Sequence, residues 1–130
     1  MPHAAMLSTA FHIRILPRPA DADGPRPMFA RTFEQVAQSL ADLPRMFVEP
    51  DGSFVWVAAA GPAWQIDGVL YDGAERLWYM ELQGRCPPHE FDRLLLALGW
   101  PETPVRVQLV REGELMEEQE FRRSVGWAAG

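Results

Sequence analysis

With 130 residues, of which 48% are hydrophobic and which include seven Phe and five Trp, the chain holds one domain's worth of core and is excluded from the disordered class. No apolar run approaches the roughly 20 residues of a membrane span, and the first ten residues lack the basic start and apolar centre of a signal peptide, so the expectation is a cytoplasmic protein with no membrane association. A net charge of −6 makes the domain acidic and nucleic acid an unfavourable partner, all 12 basic residues are arginine so that Schiff-base and P-loop lysine chemistry is excluded, and a single cysteine, Cys86, excludes an intrachain disulfide.

Residues 1–10 carry no pattern and read as a frayed end to a single domain covering 1–130. Phe11-His12-Ile13-Arg14-Ile15-Leu16 alternates apolar and polar, which predicts a strand with Phe11, Ile13 and Ile15 buried, placed at a sheet edge. The proline-rich stretch 17–28 that follows is expected to be an extended linker, since proline lacks the donor that regular structure needs. Thr32-Phe33-Glu34-Gln35 has the form of a capping box, and Phe29, Phe33, Val36, Leu40 and Leu43 form one apolar stripe, so a helix is predicted from Thr32 to about Pro44. Met46 to Val57 reads as a hairpin turning on Asp51-Gly52 as a type I′ pair, which sets Phe47 opposite Trp56.

The stretch Trp64 to Cys86 predicts the central hairpin. Pairing Tyr71 with Leu77 across a turn at 72–76 puts Leu70, Trp78, Gly68, Met80, Ile66 and Leu82 on a core side. On the other side Val69 meets Tyr79, Asp67 meets Glu81 and Gln65 meets Gln83. Pro88 to about Leu98 is a helix, with Phe91, Leu94, Leu95 and Leu98 on one face and Gly99 at the left-handed C-terminal position. Val105 to Val110 is a strand, Gly113 a turn, and Glu117 to Val125 a helix whose acidic start and basic end match the helix dipole, with a Glu118 to Arg122 pair. The expected class is α+β, a mainly antiparallel sheet of about five to six strands with helices packed on one face.

Two carboxylates directly opposed on paired strands repel unless a cation, water or an arginine relieves them. Asp67, Glu81 and Gln83 are therefore the candidate metal set, for Mg²⁺ or Mn²⁺, set against solvation or a bridge from Arg106 or Arg85. Cys86 and His89 are spaced as one half of a zinc site, and Cys86 is the one thiol available as a nucleophile. No catalytic motif accompanies them, and no catalytic or cofactor-binding residue is assigned. The five tryptophans are read mostly as core, with Trp78 buried and Trp127, near the chain end, partly exposed.

The phrases FVEPDGSFVW, WQIDGVLYD and LGWPETPVRVQLVREG resemble stretches of small bacterial proteins of unassigned activity, over roughly residues 46 to 123. More distantly, Asp67 on one strand and Glu81-Leu82-Gln83 on the next, between helices, resembles the PD-(D/E)XK nuclease core. That resemblance implies a divalent-metal site. Ile66 stands where that pattern has proline and Gln83 where it has lysine, which implies an inactive relative. Two readings follow: a non-catalytic cytoplasmic interaction or accessory domain that meets a protein partner, without a cofactor, and a degenerate metal-dependent nuclease-like domain.

Overall fold

The computed structural model describes residues 9–21, 24, 27–73 and 76–127. Most of the expected frayed end, part of the linker, and Ala74 and Glu75 of the expected turn lie outside the described residues. The elements in chain order are β1 (Phe11–Pro17), α1 (Phe33–Ala41), β2 (Met46–Val48), β3 (Ser53–Val57), β4 (Gln65–Gly73), β5 (Arg76–Arg85), α2 (Pro88–Leu98), β6 (Val105–Leu109), β7 (Glu114–Glu117) and α3 (Glu118–Ser124). The strands form one antiparallel sheet in the order β2-β3-β4-β5-β1-β6-β7.

Where local signals were strong, the expected elements form. The Thr32 hydroxyl accepts from the Gln35 backbone N–H and the Gln35 side chain accepts from the Thr32 N–H, the reciprocal capping box that fixes the start of α1. Helix α2 begins at Pro88, where a missing N–H costs nothing, and stops at Gly99, whose φ of 102° gives the left-handed cap. Phe29 is fully buried but lies before α1; its N–H donates to the Leu77 carbonyl and ties the end of the linker to β5.

Four expectations about the sheet are corrected. Strand β1 is not at an edge: it lies between β5 and β6, with Ile13 opposite Leu82 on one side and Leu109 on the other. The sheet has seven strands rather than five to six, because Glu114–Glu117 pairs with β6 as an edge strand before α3 begins. Its glutamates had concealed an alternation in which Met116 packs on the core and Leu115 is exposed. In the first hairpin, Met46 faces Trp56 and Phe47 faces Val55. There the loop is Pro50-Asp51-Gly52, with Gly52 at φ 93° and its N–H bonded to the Glu49 carbonyl. A proline at the second turn position favours this three-residue loop over the two-residue I′ turn, and one extra residue moves Phe47 to the opposite face from the one expected beside Trp56.

The fourth correction is the register of β4 and β5. Leu70 pairs with Met80, Gly68 with Leu82 and Ile66 with Gly84, two residues from the expected pairing, so the faces survive while the partners change. A bulge contributes to the shift: Tyr71 pairs with Tyr79 but Asp72 pairs with Leu77, leaving Trp78 without a partner. A bulge re-aims a side chain, and here Leu77 takes the buried position while Trp78 is 38% exposed.

The inward residues of the strands, among them Ile13, Ile15, Ile66, Met80, Leu82 and Val107, form one cluster with Val36 and Leu40 of α1, Phe91, Leu94, Leu95 and Leu98 of α2, and Phe121 of α3. The helices therefore cover that face. Trp127 belongs to the core as well, packed edge-on against Phe11 and Phe121, contrary to the exposure expected of a residue near the chain end. Gly68 is inward and buried, and a Cβ there would overlap the ring of Phe54, itself buried on the neighbouring strand. Gly68→Ala is expected to lower the unfolding free energy by about 1–3 kcal/mol through overpacking, read from denaturant unfolding. A loss below about 0.5 kcal/mol would show that the Phe54 ring is free to move aside. Leu95→Ala, which empties a fully buried site under the sheet, is expected to cost about 2–5 kcal/mol in the same measurement.

Candidate functional site on the open sheet face

Strand alternation sends every second residue of the sheet away from the helices, and the pairings align those residues in cross-sheet rows. One row runs Phe47, Val55, Asp67, Gln83, His12; the next runs Ser53, Val69, Glu81, Arg14, Gln108, Leu115. Tyr71 and Tyr79 pair in a third, and Leu16, Arg106 and Glu117 align beyond β5. Phe47 at 59%, Leu115 at 45% and Tyr71 at 40% are the most exposed apolar or aromatic side chains on this face.

At its centre stands Glu81. His12 Nε2 donates to one carboxylate oxygen at 2.7 Å and Arg14 Nε to the other at 3.0 Å, so both oxygens are engaged by side chains of β1. Partial burial pushes the Glu81 carboxyl up, but the hydrogen bonds from His12 and Arg14 outweigh it and hold the group below the ordinary glutamate range. The same hydrogen bond raises the already high pKa of Arg14. The Arg14 guanidinium lies 5.1 Å from the ring centre of Tyr79, which stacks on Tyr71 at 4.6 Å with an angle of 26° between rings. Burial raises the Tyr79 phenol, so it stays protonated.

Asp67 does not face Glu81. In the observed register Asp67 faces Gln83 and Glu81 faces Val69, which corrects the directly opposed pair expected from the sequence. Asp67, Glu81 and Gln83 still share the outer face, and the Asp67 carboxylate accepts from Gln65 Nε2 at 3.0 Å. The cation that relieves Glu81 comes from β1, not from Arg85 or Arg106 as weighed above. Arg106 lies 3.7 Å from Glu117 instead. The sequence placed His12 and Arg14 on the outer face of their strand, but with β1 assigned to an edge nothing brought them to β5. Among the described residues no group of three or more His, Cys, Asp or Glu is arranged to hold a metal ion.

Cys86 and His89 diverge. Cys86 is 1% exposed, and burial first, with Glu90 and Asp92 adding to it, pushes its thiol up to about 12, so it carries no thiolate at neutral pH. The His89 side chain is exposed, 3.8 Å from Glu90. Trp56 donates its indole N–H to the Pro44 carbonyl at 2.9 Å and packs edge-on against Trp64, both as core.

The Glu81 clasp has a pH signature. A carboxyl whose pKa is depressed on folding contributes stability above its unfolded value, near 4.5, and loses it as pH falls through the folded value. Glu81→Gln is expected to cost about 1–2 kcal/mol at neutral pH, and its difference from the wild type should shrink steadily as pH drops below about 4.5. A difference that stays constant with pH would mean that the carboxylate charge contributes nothing. Compared with known proteins, the chain matches no family model, no curated protein and no solved structure.

Proposed function

We propose that the chain is a non-catalytic cytoplasmic interaction domain that meets a protein partner through the open face of its sheet. The observation that carries this reading is the set of exposed apolar and aromatic residues Phe47, Val55, Tyr71, Trp78 and Leu115, spread over β2, β3, β4, β5 and β7 on the side away from the helices. Apolar surface arranged across a face, with a central charged clasp, is the form expected of a protein-binding patch. Cys86, the one thiol of the chain, is buried and held protonated, which leaves it without nucleophilic thiolate. That supports binding over catalysis. No helix among the described residues is long and apolar enough to cross a membrane.

A second reading, a degenerate nuclease-like site for Mg²⁺ or Mn²⁺, rests on Asp67, Glu81 and Gln83 sharing one face of adjacent strands. A metal there would share Glu81 with His12 and Arg14, which already donate to its two oxygens. Calorimetric titration with millimolar Mn²⁺ or Mg²⁺ separates the two: a flat trace is expected, and a saturable heat abolished by Asp67→Ala would favour the metal site.

The interaction reading is tested by placing a photocrosslinking amino acid at Tyr71 on the open face and, separately, at Leu96, which is 54% exposed on α2. Discrete protein adducts from position 71 in the producing cells, lost on Phe47→Ser with Val55→Ser and not formed from position 96, are expected. Equal adducts from both positions, or none from 71, would remove the open face as the docking surface.

A further inference from the structure

Pro19, Asp21, Gly24 and Pro27, after β1, border one end of the open face, and between them and the sheet lies a groove of about 300 Å³, at the small end of the range for ligand pockets. Its sheet side is lined by Arg14, Leu16 and Arg106, its apolar walls by Trp78, Tyr79 and Leu115, and the linker contributes Pro17, Pro19 and Pro27. Trp78 reaches the groove because the bulge in β5 leaves it unpaired and exposed. Prolines and aromatic rings lining one groove give it apolar walls suited to a flat apolar group.

Charge gives that slot a direction. Arg14 pairs with Gln108 and Leu16 with Arg106, so the two arginines are diagonal neighbours on adjacent strands, with Cα atoms about 7–8 Å apart in such an arrangement. Arg14 gives its Nε–H to Glu81, and among the described residues no acceptor takes its terminal nitrogens. Arg106 is short of acceptors too: among the described residues its Nε is buried without a hydrogen-bond partner, and the nearest carboxylate oxygen, on Glu117, is 3.7 Å away. The Arg106 side chain is part-exposed, and among the described residues no acceptor takes its terminal nitrogens, so these are the donors open to an incoming oxyanion. Among the described residues, Asp21 on the linker side is the one carboxylate lining the groove. It repels an anion from that wall and orients it toward the arginines.

We infer that the groove between the linker and the sheet binds a small carboxylate with a flat aromatic body, its carboxylate held between Arg14 and Arg106 and its ring between Trp78, Tyr79 and the linker prolines. The site does not depend on a protein partner covering the rest of the face.

The test is titration of the full chain with 2-naphthoate, followed by the shifts of the Trp78 indole N–H and the Arg14 and Arg106 side-chain N–H signals. Saturable shifts at millimolar ligand or below, confined to the groove, are expected. 2-Naphthalenemethanol, which keeps the ring and lacks the charge, should bind at least about tenfold more weakly, as should 2-naphthoate to Arg106→Gln. Asp21→Asn should tighten 2-naphthoate binding, a gain that a damaged fold does not produce. Because Arg106→Gln could disturb β6, Trp78→Ala at an exposed position provides a second loss of affinity with the sheet signals unchanged. Equal binding of the alcohol and the carboxylate, shifts centred elsewhere, no binding at millimolar ligand, or an Asp21→Asn protein that binds no better would each overturn the assignment.

Discussion

The arrangement of this domain depends on β1 lying between β5 and β6. A central strand has backbone partners on both sides, and here the pairing joins the N-terminal strand to two segments about 70 and 95 residues later in the chain. That one insertion fixes three things. It makes a single sheet from a four-stranded unit, β2 to β5, and a two-stranded unit, β6 and β7. It carries Phe11 into the aromatic group of Phe91, Phe121 and Trp127 that seats α2 and α3. It also delivers His12 and Arg14 to Glu81 on the opposite face. A carboxylate half withdrawn from water on β5 would be unfavourable alone; the strand that completes the sheet also supplies its two donors.

The arginines show why a chain without lysine suits this architecture. Arg31, at the end of the linker, reaches Ser39 on α1 and the Ala97 carbonyl on α2, so one planar fork spans two helices. Arg122 on α3 pairs with Glu118 in its own helix and Asp92 in α2, and lies over the rings of Phe91 and Trp100. Arg122 uses the flat guanidinium to bond in its plane and pack above it, which an ammonium does not do. Arg14 does the same on the open face, bonded to Glu81 and stacked on Tyr79.

What was legible in the sequence is what short-range chemistry decides. The Thr32 to Gln35 capping box and the Pro88 and Gly99 boundaries each specify an element within a few residues; α2 forms with the bounds read, and α1 starts as read but ends at Ala41, short of Pro44. The faces of β4 and β5 were legible because apolar alternation has period two, and a two-residue shift preserves it. Register was not, because a bulge beside Trp78 inserts a residue without a strong compositional mark. The one-residue difference between a two-residue and a three-residue loop at Pro50-Asp51-Gly52 moved Phe47 from an expected partner of Trp56 to an exposed position. The site was least legible of all: Glu81 was visible, but its partners are 69 and 67 residues away, and only the order of strands brings them together.

The edges of the sheet bear on how the proposed partner would meet it. One edge is β2, only three residues long, and the other is β7, four residues bounded by Glu114 and Glu117. Short edge strands and edge charges are the devices that stop a sheet from adding a further strand. Growth by strand addition is therefore discouraged at both sides, while the face between them keeps Phe47, Val55, Tyr71, Trp78 and Leu115 in contact with water. A sheet protected at its edges, with apolar side chains on its open face, would direct the proposed association onto the face, where side chains rather than backbone hydrogen bonds supply the contacts. The Glu81 clasp sits in the middle of that surface with both oxygens already satisfied, so a partner can cover it without leaving a buried carboxylate unpaired.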